Sequence, residues 1–501
     1  MSAVAPGPAA ERAFSADDQI AFASLSGDSN PMHMDAQAAR RTPAGAPVVH
    51  GVQSMLWALE TLAQGVDLER LSGLDADFAR FLYVGERCTL AVTRRTDSEC
   101  RAELRVGESR ISHYVLRLGG RAAPEAPNAA LPVEPAEPLV YGVDQAEPLP
   151  LSWEQIAASA GRVAFFRPDD AASAAYPALS RAIGAGRVSA LLSLTRLVGM
   201  VSPGLHSTFH KIAVSLVEDP APADPVLFFH PEATDPRFSL VTLAVRAAGL
   251  AGRVRASRRS EPTRQPASAA LRAMLPAGYL DDAPGLGDNI ALVVGGSRGL
   301  GEVTGKLLGL LGVETILTYA SGEADAEAVA ADIRAAGGRA RTMRLDMLAE
   351  LAPQLASLPR APTSLYYFAT PRIAGRPGSG YDPAAFQAFC RIYVDAFGAL
   401  CTELAGRQTA TLQVLYPSTV YVEEAPRAMT EYAMAKAAGE VLAANLTRHA
   451  ARLHVDCVRL PRVATDQTAG MIETEMGSAV GCMIPIVRRV EALAATGSGP
   501  A

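Results

Sequence analysis

Apolar positions along this chain follow two periods. Beyond Gly51, Val52, Met55, Leu56 and Leu59 recur at i, i+3, i+4 and i+7, which predicts a helix with one buried stripe. The spacing returns at Val188, Leu191, Leu192 and Thr195, and residues 205–217, 225–229, 238–245 and 252–256 then read as strands. This second stretch repeats the first weakly, in pattern and not in residues. A third pattern starts at Asn289: an apolar run to Val294, then Gly295-Gly296-Ser297-Arg298-Gly299-Leu300-Gly301, then helical spacing at Val303, Leu307, Leu308 and Leu310. Strand, glycine-rich turn and helix in that order can seat a pyrophosphate on helix N–H groups.

Proline marks the borders. Pro124, Pro127, Pro132, Pro135 and Pro138 predict an extended linker over 123–150, and a second bridge is expected over 258–286, with a helix-like turn at 271–275. The 501 residues then divide into units at 1–122, 151–257 and 287–490, each long enough for its own core. The last dozen residues are expected to be disordered. A net charge of -6 argues against nucleic-acid and membrane-surface partners. No stretch approaches about 18 uninterrupted apolar residues, and residues 1–12 lack a signal pattern. Six scattered cysteines without C-x-x-C spacing suit a cytoplasmic protein with free thiols.

The run Gly27-Asp28-Ser29-Asn30-Pro31-Met32-His33 puts a carboxylate and an imidazole on one proline turn, and Val49-His50-Gly51 heads the first predicted helix. Removing water from a 3-hydroxyacyl thioester needs a base for the α-proton, an acid for the leaving hydroxyl and fixed donors for the enolate oxygen. Residues 22–92, including Phe78-Ala79-Arg80-Phe81 and Val84-Gly85-Glu86, resemble the MaoC-like (R)-specific enoyl-CoA hydratases, a hotdog-fold family. The resemblance implies that Asp28 handles the water or hydroxyl, that His33 helps at the α-carbon and that the Gly51 N–H is the oxyanion donor. The weak repeat is then expected to be a second, non-catalytic hotdog unit that closes the sheet and shapes the acyl tunnel. Its Phe166-Arg167-Pro168-Asp169-Asp170 lacks the histidine. His206 and His210 are expected to be structural or tunnel-lining, and no metal site is expected. Arg253, Arg255, Arg258, Arg259 and Arg264 form a basic cluster that either meets coenzyme A phosphates or an acidic carrier protein, or is a solvated linker.

A second chemistry lies near the other end. Tyr432-Ala433-Met434-Ala435-Lys436 puts phenol and ammonium on one helix face, where the ammonium would lower the phenol's pKa. Tyr416-Pro417-Ser418-Thr419 offers a hydroxyl at a strand end. With the glycine-rich turn, this resembles the short-chain dehydrogenase/reductases over residues 288–468. The resemblance implies Tyr432 as proton donor, Lys436 as its partner and ribose contact, and Ser418 as the orienting hydroxyl, with Thr419 as the alternative. It also implies that Gly295, Ser297, Arg298, Gly299 and Gly301 hold the cofactor diphosphate region and that Asp346, after the strand 340–345, faces adenine. The second strand, 314–318, runs into Tyr319-Ala320-Ser321 with no carboxylate before Glu323; with Arg298 in the loop, this favours NADP(H). Four positions depart from the family pattern: Val294; Phe368-Ala369-Thr370-Pro371 in place of Asn-Asn-Ala-Gly; Asp395 at the relay asparagine; and Arg462 after Pro461.

The expected fold is an α+β double hotdog followed by an α/β Rossmann-type doubly wound parallel sheet. The expected function is an NADPH-dependent 3-oxoacyl-thioester reductase joined to an (R)-3-hydroxyacyl-thioester dehydratase. Its substrates would be acyl-CoA or acyl carrier protein thioesters of fatty-acid or polyketide type, and the protein is expected to be a cytoplasmic homodimer. The alternative is a non-catalytic acyl-binding scaffold attached to a reductase of another substrate, such as a nucleotide sugar.

Overall fold

The computed structural model describes residues 10–120, 139–217, 225–280, 286–371, 373, 381–466 and 476–497. They belong to two compact units divided at Glu261/Pro262. Residues 123–138 of the expected linker and the tail beyond 497 lie outside the described residues.

The first unit is built on strands β1 (Ala10–Ala13), β2 (Leu71–Phe78), β3 (Arg87–Arg95), β4 (Glu99–Val106), β5 (Ser109–Leu118), β6 (Leu139–Tyr141), β7 (Gly161–Ala164), β8 (Ser207–Leu216), β9 (Val226–Asp235), β10 (Leu240–Ala247) and β11 (Leu250–Arg258). They make one 11-stranded sheet in the order β1-β3-β4-β5-β2-β8-β11-β10-β9-β7-β6. Its two halves join where β2 and β8 pair antiparallel, Leu74 opposite Val214 and Ala76 opposite Ile212. Helices α1 (Ala16–Ser26), α2 (Pro31–Met34), α3 (Gly51–Leu62) and α4 (Ala185–Arg196) complete the unit. The apolar stripe of α3 is buried through Val52, Met55, Leu56 and Leu59, and α4 buries Val188, Leu191 and Leu192 in the same core. Each long helix precedes four of the sheet's strands, so the repeat seen as a pattern is a repeat in space. A capping box at Ser15 and Asp18 starts α1, and Gly27 at φ +74° ends it. At Gly27 a side chain would also strike Phe166 and Arg196.

The second unit has a six-stranded parallel sheet: β12 (Ile290–Val294), β13 (Glu314–Tyr319), β14 (Arg339–Arg344), β15 (Ser364–Tyr367), β16 (Leu412–Thr419) and β17 (Leu453–Leu460). The order is β14-β13-β12-β15-β16-β17, with buried clusters on both faces. Every residue of β12 is buried, as a central parallel strand requires. The order reverses between β12 and β15, and ligands of such sheets bind at that crevice, beyond the strands' C-terminal ends. Helices α5 (Gly299–Leu310), α6 (Thr430–His449) and α7 (Ala479–Thr496) include the two that carry candidate chemistry.

The expected linkers are shorter than read from proline content. Residues 139–141 form β6, which pairs with β7 and buries Tyr141. Beyond Pro262 the chain already packs on the second unit: Leu271 is fully buried and Ser268 bonds Asp332. Residues 383–405 are long and apolar enough, by composition alone, to cross a membrane. Here Phe389, Tyr393, Phe397, Leu400 and Leu404 of that stretch lie in the core.

One buried carboxylate ties the second unit together. Glu491 of α7 accepts from Ser364 Oγ at 2.6 Å, from the Tyr366 hydroxyl at 2.9 Å and from Asn289 Nδ2 at 2.8 Å, and burial raises its pKa. Glu491→Ala strands three donors in the core and is expected to cost roughly 3 kcal/mol. An unchanged urea midpoint would show that the network carries no stability.

Candidate active sites

In the first unit the candidate carboxylate follows directly on the end of α1. Asn30 caps α2 through Oδ1, which accepts from Met32 N at 3.1 Å, and its own N–H donates to Asp28 Oδ1 at 3.1 Å. Asp28 Oδ2 accepts from Thr195 Oγ at 2.6 Å. His33 Nδ1 lies 2.8 Å from the Val48 carbonyl. A carbonyl can only accept, so Nδ1 carries the proton and Nε2 is left as a base. His50, fully buried at the head of α3, stacks on His33 with centroids 3.8 Å apart and sets Nε2 3.1 Å from the Asp28 carbonyl oxygen.

Burial raises the Asp28 pKa, against the pull of His33, Thr195 and the Asn30 N–H. It lowers that of His33, against the pull of Asp28. A carboxyl moved up and an imidazole moved down approach each other, which suits proton exchange. His50 is taken well below its ordinary value by burial and then by His33, so it stays neutral. One nitrogen or oxygen from each of Asp28, His33 and His50 lies within 4.8 Å of the others. That spacing would also admit a cation, but both Asp28 oxygens already accept hydrogen bonds. Gly51 opens α3, which has no side-chain cap, so its first N–H groups are open to an oxyanion. A Cβ there would press on the Phe78 ring at 3.2 Å.

Thr195, Arg196 and Gly199 come from the half without the acid motif. Thr195 counted in the sequence as one more core position of a helical stripe, and nothing in its spacing marks the contact with Asp28. Arg196 is fully buried; it donates to the Ala164 carbonyl at 2.9 Å and the Gly142 carbonyl at 2.6 Å, stacked over Tyr141 and Phe166. The expected basic cluster is not one patch. Arg253 pairs with Glu232, Arg258 with Glu261, and Arg259 is buried with Nη2 on the Leu205 carbonyl. His206 is buried, and His210 bonds Ser257.

In the second unit Gly295 and Gly299 have φ of +78° and +57°, and a Cβ on Gly301 would collide with the Gly295 carbonyl. Ser297 is buried within the turn. With no side-chain cap on α5, this bare cradle fits a diphosphate. Arg298 Nη1 lies 3.1 Å from Asp466 Oδ2, which offsets its charge. Asp346 closes a turn, accepting from Leu348 N at 2.9 Å.

Tyr432 and Lys436 share α6, but the ammonium does not lower the phenol's pKa as expected. Burial pushes Tyr432 up to about 12, with the Thr419 hydroxyl bonded to it acting in the other direction. Lys436 Nζ donates to the Pro417 carbonyl at 2.7 Å and sits 4.0 Å from the centre of the Tyr393 ring; burial takes it down to about 7. Ser418, the expected orienting hydroxyl, instead donates to Glu440 at 2.5 Å, and Arg459 grips the same carboxylate. Adjacent residues of a strand point opposite ways, so only one of the two hydroxyls can face Tyr432. Asp395 is exposed. Tyr393, two residues earlier in the π-helical turn Arg391–Ala396, is the residue that meets Lys436.

No curated protein matches the sequence. Among solved structures, the chain is similar to the oxidoreductase yciK from E. coli, at 21% identity over 43% of this chain and 92% of that one, with a TM-score of 0.38. It is also similar to the landomycin C-6 ketoreductase LanV with bound NADP and rabelomycin, at 22% identity over 42% and 90%, with a TM-score of 0.37. A third is FolM alternative dihydrofolate reductase 1 from Brucella suis in complex with NADP, at 16% identity over 35% and 72%, with a TM-score of 0.32. Residues 4–115, which carry Asp28, His33, His50 and Gly51, match the family model described as a MaoC like domain.

Proposed function

We propose that the first unit is a hotdog pair that removes water from (R)-3-hydroxyacyl thioesters, and that the second is an NADP(H)-dependent short-chain reductase producing those hydroxyacyl groups from 3-oxoacyl thioesters. The observation that carries the reading is the Asp28–His33 pair beside the uncapped N-terminus of α3. The match of the same residues to a MaoC like domain supports it.

For dehydration, His33 Nε2 takes the α-proton and the charge moves onto the thioester oxygen, which the Gly51 N–H receives. Asp28, whose pKa burial raises, gives its proton to the hydroxyl as the C–O bond breaks. Hydration is the reverse, with Asp28 ionised.

In the reductase unit the nicotinamide supplies the hydride when bound, and the glycine cradle of Gly295, Gly299 and Gly301 would hold its diphosphate. Tyr432 retains its proton at neutral pH and gives it to the reduced carbonyl oxygen, which Thr419 orients. Lys436, packed on Tyr393, would meet the ribose. Absence of a carboxylate directly after β13 supports NADPH over NADH. The reductase's product is the dehydratase's substrate, and tethering raises its local concentration. Coenzyme A or a carrier protein would bear the acyl group, in a synthetic pathway of fatty-acid or polyketide type.

Incubation with NADPH and a panel of 3-oxoacyl thioesters is expected to yield, by mass, the reduced product and then its dehydrated form. Asp28→Asn should slow hydration of crotonyl-CoA by about 10³-fold and leave NADPH oxidation unchanged. A mutant that hydrates at the wild-type rate would remove Asp28 from the chemistry. Tyr432→Phe should cut NADPH oxidation by a similar factor and spare hydration; persistence of reduction would point to another proton donor.

A further inference from the structure

Threonines inside the helices of this protein usually return their hydroxyl proton to the carbonyl four residues back, as Thr61 does to Trp57, Thr304 to Leu300 and Thr402 to Gly398. Thr195, at the end of α4, gives its proton to Asp28 Oδ2 at 2.6 Å instead. The helix then widens into the π-helical turn Leu197–Val201, a form that is rare and often found at functional sites. Gly199 of that turn faces the same carboxyl: a Cβ there would lie 2.5–2.7 Å from all three carboxyl atoms. The Gly199 carbonyl accepts from Asn30 Nδ2 at 2.7 Å, anchoring the turn that carries His33.

We propose that the half without the acid motif completes the dehydratase site, with Thr195 as the positioning residue that fixes the Asp28 carboxyl. The inference rests on the dehydratase reading above. Thr195 sets the rotamer of Asp28 and, as a donor, favours its ionised form. The other titratable groups that act on Asp28 are His33 from α2, His50 at the head of α3, Arg196 from α4 and Tyr141 from β6. None replaces a hydroxyl bonded to Oδ2.

The test is hydration of crotonyl-CoA by the full chain carrying Thr195→Val. Without the donor the carboxylate is harder to form, so the acid limb of the kcat/KM profile should move up by about one pH unit and kcat fall about tenfold, with KM changed less than kcat. Thr195→Ser should restore both. If Thr195→Val does not fold, Thr195→Cys, similar in volume but a weak donor, carries the same comparison. A wild-type kcat and an unmoved limb in the valine or cysteine variant, with Asp28→Asn inactive, would overturn this inference alone. Wild-type hydration by Asp28→Asn, or none by the native chain, would overturn the dehydratase reading and this inference with it.

Discussion

A carboxyl group withdrawn from water must be met by donors, and the first unit is arranged around that requirement at Asp28. Asn30 can donate because it stands two residues away on a turn held by Pro31. Thr195 can donate only because β2 and β8 pair and bring α4 against the end of α1. The sheet's central seam therefore fixes the acid's environment as much as it fixes the core. A hydrophobic residue in place of Thr195 would satisfy the helix stripe equally well and leave Asp28 Oδ2 without this donor.

The second unit meets the same demand in two ways. At Glu491 three donors from β15 and the start of the sheet surround one carboxylate, which fastens α7 across the strands. At Lys436 the problem is an ammonium, and the solution is a main-chain carbonyl with the faces of Tyr393 and Tyr416. Aromatic faces attract a cation without binding its proton, which leaves the ammonium able to exchange one. Burial pushes the Tyr432 phenol up to about 12 and takes the Lys436 ammonium down to about 7.

Much of this was legible in the residues. The period of Val52, Met55, Leu56 and Leu59 located α3, and the apolar run before Gly295 located β12, because periodicity reports which face is buried whatever the partner. Asp28, His33 and Gly51 were readable as one group because they are close in sequence and their chemistry is unusual together. The errors have a common origin. The ion pair of Arg298 was not legible because Asp466 is remote in the chain. The proline-rich borders read as linkers because Tyr141 and Leu271 give no local sign of the cores they enter.

By itself the sequence determined the long helices that carry the two motifs, the order of those motifs and the identity of the residues at each turn, since local hydrogen bonding and periodicity set these. Tertiary structure alone decided which hydroxyl meets which group: Thr195 for Asp28, Thr419 rather than Ser418 for Tyr432, and Glu440 for Ser418. Strand pairing and the half-turn between neighbouring residues of a strand make those choices, and both depend on contacts between segments that no local pattern encodes.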